Sequence, residues 1–406
     1  MSTEIILVSI SGDDHPGVTA SVTEILGKYN AVILDIGQAD IHHTLSLGIL
    51  FMMDNEIQSG HILKEILFKC SELGVQVRFS AVSEEDYNKW VGRQGKSRYV
   101  LTVLGKVIKA GQLARVTKAI SERQLNIDNI KRLTGRPPLD AKGADSVRSC
   151  VEFSLRGELS DKESLSAEFL RISAEEGIDI SFQKDDMYRR ARRLICFDMD
   201  STLIKTEVID ELADRAGVGA EVRAITESAM RGEIDFKESF TRRVALLKGL
   251  DESVMIDIAE HLPLMDGTER LMKVLKKFGF KIAILSGGFT YFGKYLQDRF
   301  GIDYVYANNL EIVNGKLTGR YVGEVVDGKR KAELLQLIAQ MEKIDLEQVV
   351  AVGDGANDLP MLNLAGLGIA FHAKPKVKAN ARQSISVSGL DGILYFLGYR
   401  DVHMHL

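Results

Sequence analysis

The chain has 406 residues, of which 45% are hydrophobic and 27% charged, and its formal net charge is −5. This length predicts two to four domains, and a mildly acidic chain has no general electrostatic attraction to nucleic acid or to a membrane surface. No apolar run approaches the about 18 residues of a membrane-spanning helix, and the apolar stretch 5–10 is typical of a strand rather than a signal peptide. Three widely spaced cysteines argue against a disulfide framework or a zinc site and favour the cytoplasm.

The first half of the chain contains two segments with the same order of predicted elements. Apolar strands at 6–10 and 100–104 each lead through a turn to a helix, at 18–29 and 113–124. A strand, an apolar strand, a second helix and a closing strand follow in each unit. In the first unit the last three of these are predicted at 44–53, 62–73 and 76–82, and in the second unit at 149–155, 162–175 and 179–183. The order β-α-β-β-α-β is that of the ferredoxin-like fold, so the sequence predicts a tandem duplication.

Units of this size, with a glycine turn after the first strand, resemble the ACT domain, a regulatory module that commonly binds amino acids. In the first unit the turn contains Asp14, His15, Pro16 and Gly17, and its free amide groups near a helix start are suited to a carboxylate. The resemblance makes Asp14, His15 and Gly17 a possible effector site, and an ordinary capped turn is the alternative. The matching turn of the second unit lacks the acidic-proline pattern, so only the first is a ligand candidate.

A charged segment, 185–193, carries four arginines before the next apolar strand. No wider basic field extends from it, so we interpret it as a solvated linker rather than a nucleic-acid site. It separates the duplicated region from the part of the chain with the chemical motifs.

The first of these motifs follows the short apolar strand 193–197. Asp198 and Asp200 come directly after it, and positions i and i+2 of an extended chain project to the same side. Side chains at the carboxyl ends of strands form the functional sites of α/β sheets, so both carboxylates can converge on one ligand. Such a pair indicates either a divalent cation or divided acid and nucleophile roles.

Two further segments end in groups that can bind an anion. The strand 281–285 is followed by Ser286 and Gly287, whose hydroxyl and amide groups can approach a phosphoryl oxygen; a tight strand–helix turn is the alternative. The helix start at 328–335 carries Lys329, Arg330 and Lys331. A basic residue there opposes the helix dipole unless it points at an anion, and local charge does not choose among the three.

The fourth segment is the strand 348–352 followed by Gly353-Asp354-Gly355-Ala356-Asn357-Asp358. Its glycines permit a tight turn, and its two carboxylates suit a cation that prefers oxygen ligands. In this order and combination, the four segments resemble the haloacid dehalogenase superfamily. From 194 to the end, the chain is similar to the phosphoserine phosphatases of that superfamily, on FDMDSTL at 197–203, SGGF at 286–289 and GDGANDLPML at 353–362.

The resemblance implies a role for each acidic residue. Asp198 would attack phosphorus and become an aspartyl-phosphate, and Asp200 would protonate the leaving oxygen and later accept a proton from water. Mg²⁺ would be held by the side chains of Asp198 and Asp354 and by the backbone carbonyl of Asp200. Asp358 would keep these ligands in position without binding the metal itself. Lys331, rather than its two basic neighbours, would bind phosphoryl oxygens together with Ser286, the Gly287 amide and Asn357.

The region 206–264 has helical apolar spacing at 208–216, 221–231 and 236–247 and resembles the small helical cap of the family. A zwitterionic substrate needs a cation for its carboxylate and an anion for its ammonium group. The resemblance assigns these to Arg243 and Glu207, which without the motifs would be taken for surface ion-pair residues.

The expected architecture is α/β: a Rossmann-like parallel-sheet phosphatase core with a small helical cap, preceded by two ferredoxin-like ACT-type domains. The expected boundaries are 1–90 and 96–185 for the ACT-like domains and 190–406 for the phosphatase domain, with the cap at about 206–264.

The activity that the resemblance implies is the hydrolysis of O-phospho-L-serine to L-serine and phosphate, the last step of phosphorylated serine biosynthesis. It also implies serine or another amino acid as effector and a homodimer. The net charge and the lack of a long apolar run predict no nucleic-acid or membrane partner. A phosphatase for another small phosphorylated metabolite and a catalytically idle amino-acid sensor are the alternatives. The alternative of a sensor is disfavoured by four intact residues, Asp198, Asp200, Lys331 and Asp354. Glu207 with Arg243 argues against a substrate without an amino-acid head.

Overall fold

The computed structural model describes residues 4–53, 56–92, 95–136 and 148–404. The chain divides into two units, Met1–Lys96 and Ser97–Leu406. Within the described residues no helix is both long and apolar enough to cross a membrane.

The described part of the first unit is a four-stranded antiparallel sheet in the order β2-β3-β1-β4, with helices on one face. Its elements are β1 (Glu4–Asp13), α1 (Val18–Lys28), β2 (Val32–Ile41), β3 (Thr44–Met53), α2 (Glu56–Glu72), β4 (Gln76–Val82) and α3 (Glu84–Gly92). Alternate residues of β3, among them Leu47, Ile49 and Phe51, are buried in one core with Val22 of α1 and Ile66 of α2. This period-two burial confirms the predicted βαββαβ unit.

The second unit begins with the same arrangement. Its first elements are β5 (Arg98–Gly105), α4 (Ala110–Glu122), β6 (Asn126–Arg132), β7 (Ser149–Arg156), α5 (Lys162–Glu176) and β8 (Asp179–Lys184). Their strand order, β8-β5-β7-β6, repeats the β4-β1-β3-β2 order of the first unit. Element order and strand order both agree with a tandem duplication, and membership of the second segment in the ACT family stays a prediction.

A mainly parallel sheet forms the remainder of the second unit, with β9 (Leu194–Phe197) between β10 (Lys281–Phe289) and β13 (Val349–Gly353). The other elements beyond β8 are α6 (Met187–Arg190), α7 (Val208–Ala216), α8 (Gly219–Met230), α9 (Phe236–Leu246), α10 (Ser253–Glu260), α11 (Thr268–Lys277), α12 (Thr290–Phe300), β11 (Tyr304–Val313), β12 (Lys316–Val322), α13 (Gly328–Met341), α14 (Leu359–Leu364), β14 (Leu367–Phe371), α15 (Pro375–Lys378), β15 (Gln383–Ile385) and α16 (Ile393–Phe396). Every residue of β9 is buried, which explains its uninterrupted apolar sequence.

The cap region 206–264, all of which the structure describes, contains the four helices α7 to α10. The first three agree with the sequence prediction to within two residues, and α10 was not predicted. Helix α9 packs against β12, the edge strand that pairs antiparallel with β11. The core sheet therefore supports the cap through a hairpin that sequence periodicity did not reveal.

The duplicated segment and the phosphatase core share one sheet of eleven described strands, because β15 pairs with β8 at Ser384 and Ile180. The buried side chain of Gln383 strengthens this junction by accepting from the Phe182 amide at 3.0 Å and donating to the Phe182 carbonyl at 2.7 Å. The structure thus separates the chain only after Lys96, whereas the sequence led us to expect a further boundary near 185–190. That three-part division stays a prediction.

The charged segment 185–193 is ordered structure rather than a solvated linker, so our interpretation of it was wrong. Asp186 caps the short helix α6, and the buried Arg189 pairs with Glu152 of β7 at 2.6 Å. Arg192 donates to the backbone carbonyl of Glu347 at 2.8 Å. Arginine side chains that bond to acceptors of the protein itself give the same sequence pattern as a solvated basic cluster, so the pattern could not separate the two.

Candidate active site

The site lies at the carboxyl end of β9, where the first predicted carboxylate follows the strand. The amide of Asp198 donates to the Val352 carbonyl at 2.9 Å, which fixes its backbone against β13. Its buried Oδ1 accepts from the Met199 amide at 2.8 Å and lies 2.9 Å from Nζ of Lys331. A carboxylate between a backbone donor and a lysine is held in one orientation.

Lys331 is the basic residue of its helix that enters the site, a choice that local charge had left open. It is fully buried in the first turn of α13, and its Nζ lies 2.7 Å from Oδ1 of Asp358 as well as close to Asp198. By contrast, Lys329 is 86% exposed and Arg330 pairs with Glu333. Burial lowers the pKa of Lys331, but the charges of Asp198 and Asp358 outweigh it and raise that pKa above its usual value.

Three carboxylates meet beside this lysine. Ligand atoms of Asp198, Asp354 and Asp358 all lie within 4.8 Å of one another. Burial, followed by the charge of Asp198, raises the pKa of Asp354 to about 8 and that of Asp358 to about 7. One buried ammonium group does not neutralise three carboxylates, so the donor set fits a hard divalent cation with oxygen ligands.

The turn after β13 gives these carboxylates their positions. Oδ2 of Asp358 accepts from the Gly355 amide at 2.9 Å, so both of its oxygens have partners within the chain. A side chain at Gly353 would place its Cβ 2.4 Å from the Asp358 carboxyl carbon, which only glycine avoids. Asp354 accepts from the Thr202 hydroxyl at 3.3 Å, which joins the two acidic motifs directly.

Asp200 lies next to Asp198 but has different partners. Its Oδ1 accepts from the amide of Val208, the first residue of α7, at 3.2 Å. Burial, followed by the charges of Glu207 and Asp198, raises the pKa of Asp200 well above its usual value. The two carboxyl groups therefore differ in environment: Asp198 pairs with Lys331, whereas Asp200 has no ion pair within the described parts of the chain and its burial favours the protonated form.

The Ser286 turn is set in place by a residue that we did not predict. Ser286 is fully buried, and its Oγ accepts from the Gly288 amide at 2.9 Å. Asn308 of β11 donates to the Gly287 carbonyl at 2.8 Å and accepts from the Val326 amide at 2.9 Å. A polar residue within an apolar strand is the only sequence signal for Asn308, and its partners are 18 to 21 residues away.

Asn357 reaches the same end of the sheet through the turn after β13. Its backbone oxygen packs against Gly328, where a Cβ would come within 2.5 Å, so Asn357 lies beside the start of α13. The structure thus brings together the ends of three parallel strands and one helix start, as the four motifs predicted.

The cap contributes Glu207 and Arg243. Glu207 precedes α7 and accepts from the Ser201 hydroxyl at 3.0 Å. Arg243 of α9 is largely buried, yet its Nε has no hydrogen-bond partner among the described residues. Burial lowers the pKa of Arg243, opposed by the nearby charges of Glu207 and Asp210. Asp210, in the first turn of α7, was not predicted, although it lies only three residues after Glu207.

The predicted effector residues belong to the first unit, in the turn between β1 and α1. Gly17 has φ of 105°, which requires glycine, and forms the N-cap of α1. His15 Nε2 lies 3.0 Å from the Leu73 carbonyl, and the Asp14 amide donates to the His43 carbonyl at 2.7 Å. These contacts anchor the turn to α2 and to the β2–β3 connection.

Comparison with known families agrees with this architecture. Residues 192–366 match the family model of the haloacid dehalogenase-like hydrolases, and residues 4–80 match that of the ACT domain. A solved structure described as a probable phosphoserine phosphatase from Vibrio cholerae is similar, with 37% identity, a TM-score of 0.59, and coverage of 75% of this chain and 87% of that one. A HAD family hydrolase from Salmonella enterica serovar Typhi has 29% identity and a TM-score of 0.64, covering 73% and 98%.

Among curated relatives, phosphoserine phosphatase SerB2 of Mycobacterium tuberculosis is 38% identical over 395 residues, or 97% of this chain and 93% of that protein. The phosphoserine phosphatase of Archaeoglobus fulgidus is 42% identical over 345 residues, or 85% and 95% of the two chains. With this identity across nearly the whole of both chains, the protein belongs to the phosphoserine phosphatase family of haloacid dehalogenase-like hydrolases.

Proposed function

We propose that this chain, a phosphoric monoester hydrolase, converts O-phospho-L-serine to L-serine and phosphate through an aspartyl-phosphate on Asp198. One observation carries the proposal: the buried Asp198 carboxylate lies 2.9 Å from the Lys331 ammonium group and within 4.8 Å of two further carboxylates. This arrangement supplies a fixed nucleophile, a buried cation for phosphoryl oxygens and ligands for a metal. Sequence similarity to phosphoserine phosphatases over most of the chain supports phosphoserine as the substrate.

In the proposed reaction, a carboxylate oxygen of Asp198 forms a bond to phosphorus while the bond from phosphorus to the serine oxygen breaks. Asp200 gives its proton to the departing serine oxygen and then takes a proton from the water that attacks the aspartyl-phosphate. Phosphate leaves and the Asp198 carboxylate is restored. The raised pKa of Asp200 supports this role, because the group must be protonated when the leaving group departs.

The phosphoryl oxygens would bind Lys331, the Ser286 hydroxyl, the Gly287 amide and Asn357. The proposed metal is Mg²⁺, held by the side chains of Asp198 and Asp354 and the backbone carbonyl of Asp200. Asp358, whose oxygens are bonded to Lys331 and the Gly355 amide, would keep these groups in place. When bound, Mg²⁺ offsets the charge of a phosphate dianion beside a carboxylate nucleophile.

The cap would recognise the amino-acid head. Glu207 would accept from the substrate ammonium group, and Arg243 would bind the substrate carboxylate with two nitrogens. The buried, unpartnered Nε of Arg243 supports this, because a guanidinium group without full hydrogen bonding is costly unless a ligand completes it. Glu207 and Arg243 together favour phosphoserine over another small phosphorylated metabolite.

The test is phosphate release from a panel of phosphomonoesters, with and without Mg²⁺. Phosphoserine should be hydrolysed fastest, and removal of Mg²⁺ should abolish turnover. Preference for a sugar phosphate would support the other-metabolite alternative, and no turnover with any substrate would support the idle sensor. The inactive control is Asp198→Asn, which excludes a contaminating phosphatase.

We further propose regulation by serine or another amino acid at the first unit, a homodimer, a cytoplasmic location, and a place at the last step of phosphorylated serine biosynthesis. The ACT family match of residues 4–80 and the Gly17 turn support the effector. Three free, buried cysteines support a reducing compartment.

A further inference from the structure

The chain crosses between the core and the cap at two segments, 203–206 and 262–268, which we call the hinge. The hinge is tied together by an isolated β-bridge between Ile204 and Leu264 and by backbone bonds from Lys205 to Pro263 at 2.8 Å and from Met265 to Leu203 at 2.9 Å. Helix α7 begins two residues after the first segment. The position of the hinge therefore sets where the Val208 amide meets Asp200 and where Glu207 meets Ser201.

One loop, residues 386–391, contacts the hinge directly. The Leu390 amide donates to the Asp266 carbonyl at 2.7 Å. The neighbouring Asp391 is buried and packs so closely on Gly267 that a Cβ there would lie 2.1 Å from its Oδ1. That oxygen has no hydrogen-bond partner among the described residues, while Oδ2 pairs with Arg148 and, at 3.0 Å, with Arg270. Asp391 is therefore held against the hinge by its arginine partners.

The same loop is held from the other side by the duplicated segment of the second unit. Asp179, the first residue of β8, is fully buried and accepts from the amides of Ser386 at 2.6 Å and Ser388 at 2.9 Å. Arg148, which precedes β7, supplies the ion pair to Asp391. Both contacts come from the segment that carries no residue of the proposed active site.

We propose that the duplicated segment 98–184, through its residues Arg148 and Asp179, positions the cap hinge through loop 386–391, with Asp391 as the positioning residue. Arg148 and Asp179 hold the loop, and the loop holds Asp266 and Gly267. The hinge in turn fixes the start of α7 against Asp200. The expected effect on phosphoserine hydrolysis rests on the proposed function of the same site, whereas the expected effect on hydrogen exchange in the hinge does not.

The physical reason is the cost of a buried carboxylate. Asp391 is 1% exposed and needs its positive partners to remain in place. Without Arg148 the carboxylate keeps Arg270 as its ion-pair partner, and the loop loses one of the two side-chain attachments to segment 98–184 described above. The backbone bond from Leu390 to Asp266 then opens more often, and the hinge amides exchange faster with solvent.

The experiment compares Arg148→Met with Glu152→Gln in the full chain. Glu152 lies four residues further along, and its change removes the charge from another largely buried ion pair, the one between Glu152 and Arg189 of α6. That pair makes no contact with the hinge, so it is a matched control. The measurements are amide hydrogen exchange, and kcat and KM for phosphoserine and for para-nitrophenyl phosphate.

In Arg148→Met, exchange in peptides covering 203–206 and 262–268 should rise at least about fivefold, with peptides of β9 and β13 unchanged. In Glu152→Gln, the same hinge peptides should exchange at the wild-type rate. The kcat/KM of Arg148→Met for phosphoserine should fall about tenfold, and that for the aryl phosphate should change less than about twofold. The aryl phosphate has no amino-acid head for the cap to bind, and its leaving group departs without strong help from a general acid.

Two further variants keep the proposal falsifiable. Arg148→Lys retains the charge and should keep most of the protection of the hinge amides from exchange. Asp391→Asn should raise hinge exchange as much as Arg148→Met does, and the variant with both changes should exchange no faster than either single variant. Unchanged hinge exchange in both Arg148→Met and Asp391→Asn, or equal effects of Arg148→Met and Glu152→Gln, overturns the proposal. If the wild type fails to hydrolyse phosphoserine, the proposed function is wrong, and hydrogen exchange still decides the inference.

Discussion

The amide nitrogen of Val208 lies 3.2 Å from Oδ1 of Asp200, so the first residue of cap helix α7 is hydrogen-bonded to a carboxyl group at the end of the central strand. A cap that moves therefore changes the environment of Asp200 as well as the positions of Glu207 and Arg243. If Glu207, Arg243 and Asp200 have the proposed roles, this hydrogen bond would couple the binding of the substrate head to the protonation of Asp200.

Asp198→Asn should abolish turnover and leave the fold intact, because the amide is nearly isosteric but cannot attack phosphorus as an anion. Phosphate release measures the first effect, and circular dichroism with thermal unfolding measures the second. A native-like Asp198→Asn protein that retains phosphatase activity would exclude Asp198 as the nucleophile.

Arg243→Ala should damage phosphoserine hydrolysis far more than hydrolysis of an aryl phosphate. The lost contact is a charge-assisted one to the substrate carboxylate, so we expect a loss of about 2–4 kcal/mol in kcat/KM. The matched control is Arg242→Ala, since Arg242 is exposed and pairs with Glu238 on the same helix. Equal losses for both substrates would instead assign Arg243 to the fold of the cap.

Lys331→Met should lower both activity and stability, because it leaves two buried carboxylates without their cation. Breaking a buried ion pair costs on the order of 3–5 kcal/mol in the free energy of unfolding. The control Lys329→Met, at an 86% exposed position in the same turn, should change the free energy of unfolding by less than about 0.5 kcal/mol. Urea unfolding of both variants is the measurement, and similar midpoints would show that Lys331 does not neutralise the cluster.

The metal-free protein should become less stable as the pH rises from about 4 to about 8. Asp354 has its pKa raised from 3.8 to about 8 and Asp358 from 3.8 to about 7, so the folded state binds more protons than the unfolded state across this window. Their stabilising contribution is fully present below the unfolded pKa and is lost as the pH passes the folded pKa.

Added Mg²⁺ should oppose this loss, because a bound cation takes the place of the protons. The measurement is the free energy of unfolding against pH in a chelator and in millimolar Mg²⁺, with Asp354→Asn as the control that loses most of the difference. Stability that rises with pH in the chelator would show that the cluster does not hold protons in the folded state.

Removal of residues 1–96 should preserve catalysis and abolish any serine inhibition that is not competitive with phosphoserine. The chain divides after Lys96, so a protein that starts at Ser97 retains a complete second unit. Steady-state inhibition by serine with both proteins is the measurement. Identical, purely competitive inhibition of the two would leave the first unit without an allosteric role.

A protein that starts at Met187 should instead be strongly destabilised. It lacks β8, whose pairing with β15 joins the two halves of the sheet, and it lacks the buried Leu104, Leu133 and Cys150, which pack in the phosphatase core. Removing them exposes apolar surface and leaves Gln383 without its backbone partners. A thermal midpoint equal to that of the Ser97 protein would contradict this expectation.

The sequence alone determined the features that depend on neighbouring residues. An apolar strand followed by Asp198 and Asp200, and another followed by Asp354 and Asp358, define strand-end sites because the geometry of a strand is local. Helix periodicity likewise gave three of the four cap helices, and the order of elements gave the βαββαβ units.

Only the tertiary structure decided which side chains meet across long separations. Local charge could not choose between Lys331 and Lys329, and the choice of Lys331 came from the family resemblance; the structure gives the physical reason, because the rotation of α13 turns Lys331 toward Asp198 and Lys329 to solvent. The structure also joined β8 to β15 and Arg148 to Asp391, pairs separated by more than 200 residues. No local pattern records such pairs, because their energy comes from burial and charge pairing that exist only once the sheet has formed.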